Sequence, residues 1–172
     1  MIACCVSCVD PSLGKVDKAS LPQQTLMELV LVTITDKEEI CGPTENVCDI
    51  FQWEGVRLNE NGNVIEVNWF MRGLQGTVEV GWLPPTVERF NCSSNDLTGT
   101  LNLTSLPPPL RDFFLGWSKF YGAINLKHLP AKIHQIFLCQ NRLTGTLCLK
   151  TLPHSLAYLV LSKNGFTGGI SL

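Results

Sequence analysis

Four leucine–proline pairs recur at an unbroken interval of 23 residues: Leu83–Pro84, Leu106–Pro107, Leu129–Pro130 and Leu152–Pro153. In a repeat array each unit is one supersecondary element that buries its apolar face only against its neighbours, so this interval constrains the fold more than any local propensity. The apolar residues inside the units keep the same register. Val87, Phe90, Cys92, Leu97, Leu101 and Leu103 are followed at the same offsets by Leu110, Phe113, Leu115, Phe120, Ile124 and Leu126. Ile133, Ile136, Leu138, Leu143, Leu147 and Leu149 come next, and then Leu156, Leu159, Leu161, Phe166, Ile170 and Leu172. Counting back from Leu83 gives a degenerate first unit, Glu60 to Trp82, that still carries Val64, Val67, Trp69, Leu74, Val78 and Val80. Five units therefore cover 60–172.

Each unit contains a short alternation, Phe90-x-Cys92 or Ile136-x-Leu138, whose period of two predicts a strand with one face turned inward. Stacked units then give a parallel sheet. Asn95, Asn141 and Asn164 follow the strand, where a short amide bonds backbone groups that a turning chain leaves unsatisfied, while Arg72 and Ser118 break that ladder in two units. Gly76, Gly99, Gly122, Gly145 and Gly168 mark a bend in which a side chain would obstruct the neighbouring turn. A second alternation, Leu101-x-Leu103 to Ile170-x-Leu172, predicts a second narrow strand column beyond that bend. Proline after the opening leucine removes an amide donor, so the return segment is expected to be extended or a short 3₁₀ turn.

The run Ile133-x-x-Ile136-x-Leu138-x-x-Asn141-x-Leu143-x-Gly145 resembles the leucine-rich repeat consensus, with the added glycine of plant-receptor-type units. The Leu-Pro openings and the Leu-Thr-Gly-Thr-Leu turns, Leu97 to Leu101 and Leu143 to Leu147, look most like the surface arrays of protists, including kinetoplastids. The resemblance implies a leucine-rich repeat solenoid with a parallel β-sheet on its concave face, a second short strand column and an α-helical N-terminal cap. It also implies a non-catalytic module for a protein or peptide ligand at the cell surface or outside the cell.

Ahead of the repeats, 20–59 reads as the cap and 1–19 as a tail. Ser20-Leu21-Pro22-Gln23 is a helix start, with Ser20 as N-cap and a helix from Leu21 to Val32, although the β-branched end from Val30 to Ile34 also fits a strand. Trp53-Glu54-Gly55-Val56 resembles the segment preceding plant-type extracellular repeats, with Leu58 standing where that family has its last cysteine. On that resemblance Cys41 and Cys48 are a candidate disulfide. Met1 to Val9 lacks the basic start of a secretory signal, and Cys5-Val6-Ser7-Cys8 lacks a second ligand pair for zinc.

With 13 basic and 15 acidic residues the chain has no positive excess for a phosphate backbone, so nucleic acid is not an expected partner. The longest apolar run, Leu29 to Ile34, is far short of the roughly 20 residues that span a bilayer. Asn91-Cys92-Ser93 and Asn102-Leu103-Thr104 fit the glycosylation pattern. No phosphate-cradling loop, metal-ligand cluster or catalytic carboxylate pair is evident, so neither an enzyme nor a cofactor is expected. His134 and Cys139 are separated by about 16 Å along an extended strand, too far for direct proton transfer.

The residues between the inward-facing ones point to the concave surface, and they define the candidate binding site. One column reads Asn68, Asn91, Phe114, Phe137 and Val160; another reads Glu66, Arg89, Asp112, Gln135 and Tyr158. Further along stand Phe70, Ser93, Gly116, Cys139 and Ser162, then Met71, Ser94, Trp117, Gln140 and Lys163. Phe114, Trp117, Phe137, Tyr158 and Val160 are expected to form one water-facing cluster, with Arg89 and His134 beside it. Two other roles fit the same residues: mutual cover of these side chains across adjacent strands, and an architectural spacer that meets partners, or a second copy, through an open C-terminal edge at Leu172, where no polar closing unit follows.

Overall fold

A computed structural model describes residues 17–43 and 48–168. The Cys5–Cys8 motif, most of the tail and the terminal Ile170 and Leu172 lie outside them.

Two sheets run the length of the array. The first contains β3 (Val64–Asn68), β5 (Arg89–Asn91), β7 (Asp112–Phe114), β9 (Gln135–Phe137) and β11 (Tyr158–Val160), all parallel. Its rungs join residues 23 apart: Glu66 to Arg89, Arg89 to Asp112, Asp112 to Gln135 and Gln135 to Tyr158. An antiparallel strand from the cap, β2 (Val56–Leu58), closes its N-terminal edge with an irregularity between Arg57 and Leu58. The repeat interval is thus the hydrogen-bond register of this sheet.

The second sheet contains β4 (Gln75–Thr77), β6 (Asp96–Gly99), β8 (Lys119–Ala123), β10 (Arg142–Gly145) and β12 (Gly165–Phe166), with β1 (Ile34–Thr35) of the cap antiparallel at its edge. This corrects the placement expected from the alternation Leu101-x-Leu103. The strands lie before and through the glycine bend, whereas Leu103 opens a 3₁₀ turn, Leu103–Ser105, and Leu101 and Leu103 are buried as core. Alternation there reports two inward-pointing leucines in a turn, which a period of two cannot distinguish from a strand. Pairing in this sheet joins residues 21 apart, so each bend glycine opposes the large apolar residue of the next unit: Gly76 faces Leu97, Gly99 faces Phe120, Gly122 faces Leu143 and Gly145 faces Phe166. A side chain at Gly99 would land on the Thr77 methyl group, and the backbone there has φ +103°. Among the described residues the return segments carry only short 3₁₀ turns, Val80–Trp82 and Leu103–Ser105.

Between the sheets the inward residues form one continuous core. Val67, Trp69, Leu74, Phe90, Cys92, Leu97, Phe113, Leu115, Phe120, Ile136, Leu138 and Leu143 are fully buried. Trp69 meets Phe90 edge-on at 6.2 Å, and Phe90 stacks on Phe113 at 5.8 Å, which carries packing from the first unit to the third.

The cap helix α1 (Gln23–Val30) buries Leu26, Met27 and Val30, of which Met27 and Val30 join the core shared with the repeat units. It starts later than Ser20 predicts. Ser20 belongs to a 3₁₀ turn, Lys18–Ser20, capped by Asp17, and no side chain caps α1. Gln23, three residues after Ser20, donates to the Gly62 carbonyl at 2.6 Å and accepts from the Val64 amide at 3.0 Å. Gln24 accepts from the Ile50 amide at 2.8 Å. The two glutamines therefore tie the helix to the first unit and to the cap's own loop. Leu31 ends the helix, the chain enters β1, and a second short helix, α2 (Glu38–Cys41), follows without a counterpart in the sequence reading. Trp53 and Trp69 each satisfy their indole N–H on a cap carbonyl, of Cys48 at 2.9 Å and of Glu54 at 3.0 Å. A side chain at Gly55 would collide with the Asn68 carbonyl, which accounts for glycine between Trp53 and Val56.

Candidate functional site

The outward face of the first sheet is the candidate site. Its register places Arg57, Glu66, Arg89, Asp112, Gln135 and Tyr158 in one row across the strands. Arg57 donates through Nε to Glu66 at 2.9 Å, and Arg89 reaches Asp112 at 3.2 Å. Charges alternate in sign along the cap-proximal half of this row and satisfy one another there. The parallel row reads Asn68, Asn91, Phe114, Phe137 and Val160. The face is thus polar toward the cap and carries an apolar column, Phe114, Phe137 and Val160, over β7, β9 and β11, beside Asp112, Gln135 and Tyr158.

Over these strands the Phe114 and Phe137 rings meet edge-on at 5.1 Å, and His134 meets Tyr158 edge-on at 6.0 Å. Phe114, Phe137 and Val160 are half-buried, Tyr158 is 56% exposed and His134 is exposed. Cross-strand cover and an accessible apolar surface are both present, because each ring shields only part of its neighbour.

Trp117 stands elsewhere than expected. Sequence reading continued the strand face through Ser93 and Cys139 to Trp117, but the strands end at Asn68, Asn91, Phe114, Phe137 and Val160. Ser93 and Cys139 are buried in the following turn. Beyond them Met71, Ser94, Trp117, Gln140 and Lys163 all have left-handed backbone, with φ of 52–58°. This left-handed column is invisible to a two-residue alternation; its sequence signal is that no member is branched at Cβ. Trp117 projects from it half-exposed, at 50%. A bulky residue in that backbone region is uncommon and costs about 1 kcal/mol or more.

The ladder asparagines hold these turns. Asn95 accepts from the amides of Arg72 and Leu74 at 3.0 and 3.1 Å and donates to the carbonyls of Trp69 and Cys92, both at 2.8 Å. Asn141 bridges Leu115 and Leu138 in the same manner and accepts from the Phe120 amide. Asn164 bridges Leu138 and Leu161 and accepts from the Leu143 amide. Each amide thus fastens its own turn to the unit before it. Where Ser118 replaces asparagine, its hydroxyl is buried without a partner.

A groove of about 560 Å³ opens where the return segments enter the sheet, lined in part by Arg89, Arg111, Asp112, Lys132, His134 and Gln135. Arg111 and Lys132 were not singled out in the sequence, because they come from different units and only the coil brings them together.

Cys41 and Cys48 are both free thiols, with Cys48 Sγ donating to the Cys41 carbonyl at 3.0 Å. Burial pushes the Cys41 thiol up, and burial holds that of Cys92 well above its ordinary value. Cys139 is 5% exposed, away from open solvent on the face that carries His134. Asn91 is half-buried on β5 with its side chain accepting from the Ser93 amide, whereas Asn102 is exposed at the head of a 3₁₀ turn. Gly76, Gly122, Gly145 and Gly168 share the left-handed conformation of Gly99. Among the described residues no three His, Cys, Asp or Glu side chains cluster to hold a metal, and no helix is long and apolar enough to cross a membrane.

Two parallel sheets wound in a coil of uniform pitch, laced by an asparagine ladder and closed by a helical cap, define a leucine-rich repeat solenoid. No protein-family model and no curated protein matches the chain. Among solved structures it is similar to the BIR2 ectodomain from Arabidopsis thaliana, with a TM-score of 0.70 at 19% identity over 86% of this chain and 82% of that one. It is similar to Pollen Receptor Kinase 3, at 0.64 and 24% identity over 86% and 74%. The Arabidopsis HAESA ectodomain in complex with an IDA peptide hormone matches at 0.58 and 18% identity, over 84% of this chain and 29% of that one. At these identities the likeness is one of fold.

Proposed function

We propose that the chain is a non-catalytic recognition module that lays an extended peptide or protein segment along the outward face of the first sheet. The observation that carries this reading is the group of partly accessible rings at Phe114, Phe137 and Tyr158, on two adjacent rows of a surface that faces solvent. Apolar anchors in such a setting are the usual centres of binding energy. Trp117 supports it, since an exposed indole on left-handed backbone costs stability and packs no core.

Placement outside the cell is part of the same reading. It is supported by the ectodomain neighbours. In a secretory setting Asn102 is the residue that carries a glycan, because its side chain is exposed, while Asn91 stands within the binding face. Cys41 and Cys48, free thiols that meet through the Cys48 Sγ–Cys41 carbonyl contact, would close a cap disulfide under the same oxidising conditions.

The test is selection from a random peptide display library on the immobilised protein, followed by rebinding to Phe137→Asp/Tyr158→Ser. Enriched peptides are expected to lose at least tenfold in affinity for the double variant. Undiminished binding overturns this site and moves the contact to the last unit, where Leu156, Leu159 and Phe166 are only partly covered.

A further inference from the structure

The groove beside the aromatic group is cationic, and its charge is not spent within the protein. Of its basic groups, Arg89 is matched by Asp112 at 3.2 Å. Arg111 and Lys132 have no acidic partner among the described residues. The nearest rung toward the cap carries Glu88, which is exposed, does not line the groove and makes no ion pair with Arg111. Arg111 is also held in place from its backbone: its amide donates to the Glu88 carbonyl at 2.7 Å, and its own carbonyl accepts from the amides of His134 and Gln135 at 2.7 and 3.0 Å. The floor is therefore rigid while the two cationic ends stay in solvent. His134 links the groove to the aromatic group, since it lines the first and packs its ring on Tyr158.

We infer that this groove takes a carboxylate-bearing side chain of the same peptide whose apolar residues lie on Phe114, Phe137 and Tyr158, so that the module prefers acidic–aromatic segments. The inference rests on the peptide-binding reading above and adds the chemical class of the ligand. Guanidinium and ammonium groups from successive units, Arg111 and Lys132, converge on one opening, and the planar fork of Arg111 suits a carboxylate in two-point contact. The volume of about 560 Å³ accommodates a glutamate or aspartate side chain with its hydration. Asp112 is neutralised by Arg89 and so does not repel the incoming anion at full strength.

The experiment uses two labelled synthetic peptides, Glu-Glu-Glu-Phe-Phe and its uncharged counterpart Gln-Gln-Gln-Phe-Phe, blocked at both ends, with binding followed by fluorescence anisotropy at low salt. The glutamate peptide is expected to bind about fivefold or more tightly than the glutamine peptide, and the preference to shrink toward unity near 0.5 M salt as the charges are screened. Arg111→Ser/Lys132→Ser should abolish the preference while leaving the glutamine peptide's affinity unchanged. Both positions are exposed, so the variant's thermal melt should match that of the wild type. Phe137→Asp/Tyr158→Ser should weaken both peptides, which separates failure of the groove from failure of the whole face. Equal affinity for the two peptides, a preference that survives the double serine variant, or tighter binding of a single-stranded oligonucleotide of equal charge overturns the inference.

Discussion

Asn141 donates from Nδ2 to the carbonyl of Leu115, 26 residues earlier, at 2.8 Å, so one buried amide fastens the fourth unit to the third. The same nitrogen lies 3.2 Å from the Leu138 carbonyl, and its oxygen accepts the Phe120 amide at 3.0 Å. Asn141→Ala should therefore cost about 2–4 kcal/mol, because it strips the partners from several backbone groups in a site closed to water. Urea unfolding followed by circular dichroism measures it. A loss below about 0.5 kcal/mol would mean that water replaces the amide freely.

Ser118 is the converse case. Its buried hydroxyl has no partner, and an asparagine there would be aimed at the carbonyls of Cys92 and Leu115, which already accept from Asn95 and Asn141. Double acceptance is no obstacle, since the Leu138 carbonyl takes both Asn141 and Asn164. Ser118→Asn should stabilise the fold by about 1 kcal/mol, a rise in Tm of about 2–4 °C. A fall in Tm would show that the third turn is too tight for the longer amide.

A substitution at Trp117 tests stability and recognition together. Trp117→Asn places a residue that tolerates left-handed backbone at φ 53° and removes an exposed indole. Tm is expected to rise by a few degrees while affinity for display-selected peptides falls at least threefold. If Tm rises and affinity is unchanged, the indole has no part in binding.

The bend glycines are limited by both backbone and space. Gly99→Ala puts a methyl group onto Thr77 Cγ2 at a φ of +103°, and should destabilise by more than about 2 kcal/mol. Thr77→Ser removes the obstructing methyl, so the double variant should recover the steric part and keep the backbone part. A fully additive pair would show that the two side chains never meet.

Alkaline pH tests the buried thiols. The Cys92 thiol is held well above its ordinary value of 9.0 by burial, so the folded state keeps a proton that the unfolded chain releases. Its contribution is present below pH 9 and is lost as pH rises beyond it, at about 1.4 kcal/mol per pH unit per such group. Cys41 acts in the same direction, while the half-buried Lys18 ammonium, pushed down, acts in the opposite one. Comparing melts of wild type and Cys92→Ala from pH 8 to pH 10.5 isolates the thiol: the stability gap between them should narrow above pH 9. A constant gap would show that Cys92 ionises equally in both states.

Most of the fold was legible because the repeat supplies it several times over. Val67, Phe90, Phe113 and Ile136 are equivalent by count and are all buried, so the inward face and the 23-residue register could be read without coordinates. The second column was misplaced because Leu101 and Leu103 alternate for a reason unrelated to a strand. The helix start was misread because Gln23 spends its side chain on Gly62 and Val64, contacts 39 and 41 residues away that local capping rules do not see. At the site, the rows through Phe114 and Tyr158 followed from alternation. The groove at Arg111 and Lys132 depends on how turns of different units converge, and the position of Trp117 depends on one left-handed residue that a strand pattern overruns.

The two sheets differ in what a copied unit does to them. In the first, residues 23 apart are partners, so a substitution spread by duplication of a unit comes to lie opposite itself. In the second, partners are 21 apart, and Tyr121 meets Arg142 where a straight stack would have set like beside like. Growth of such an array by copying therefore builds uniform ribbons of one side chain on the first sheet and scrambles them on the other. Any specificity written on the first sheet can be lengthened by duplication, whereas the second keeps its neighbours dissimilar however long the array becomes.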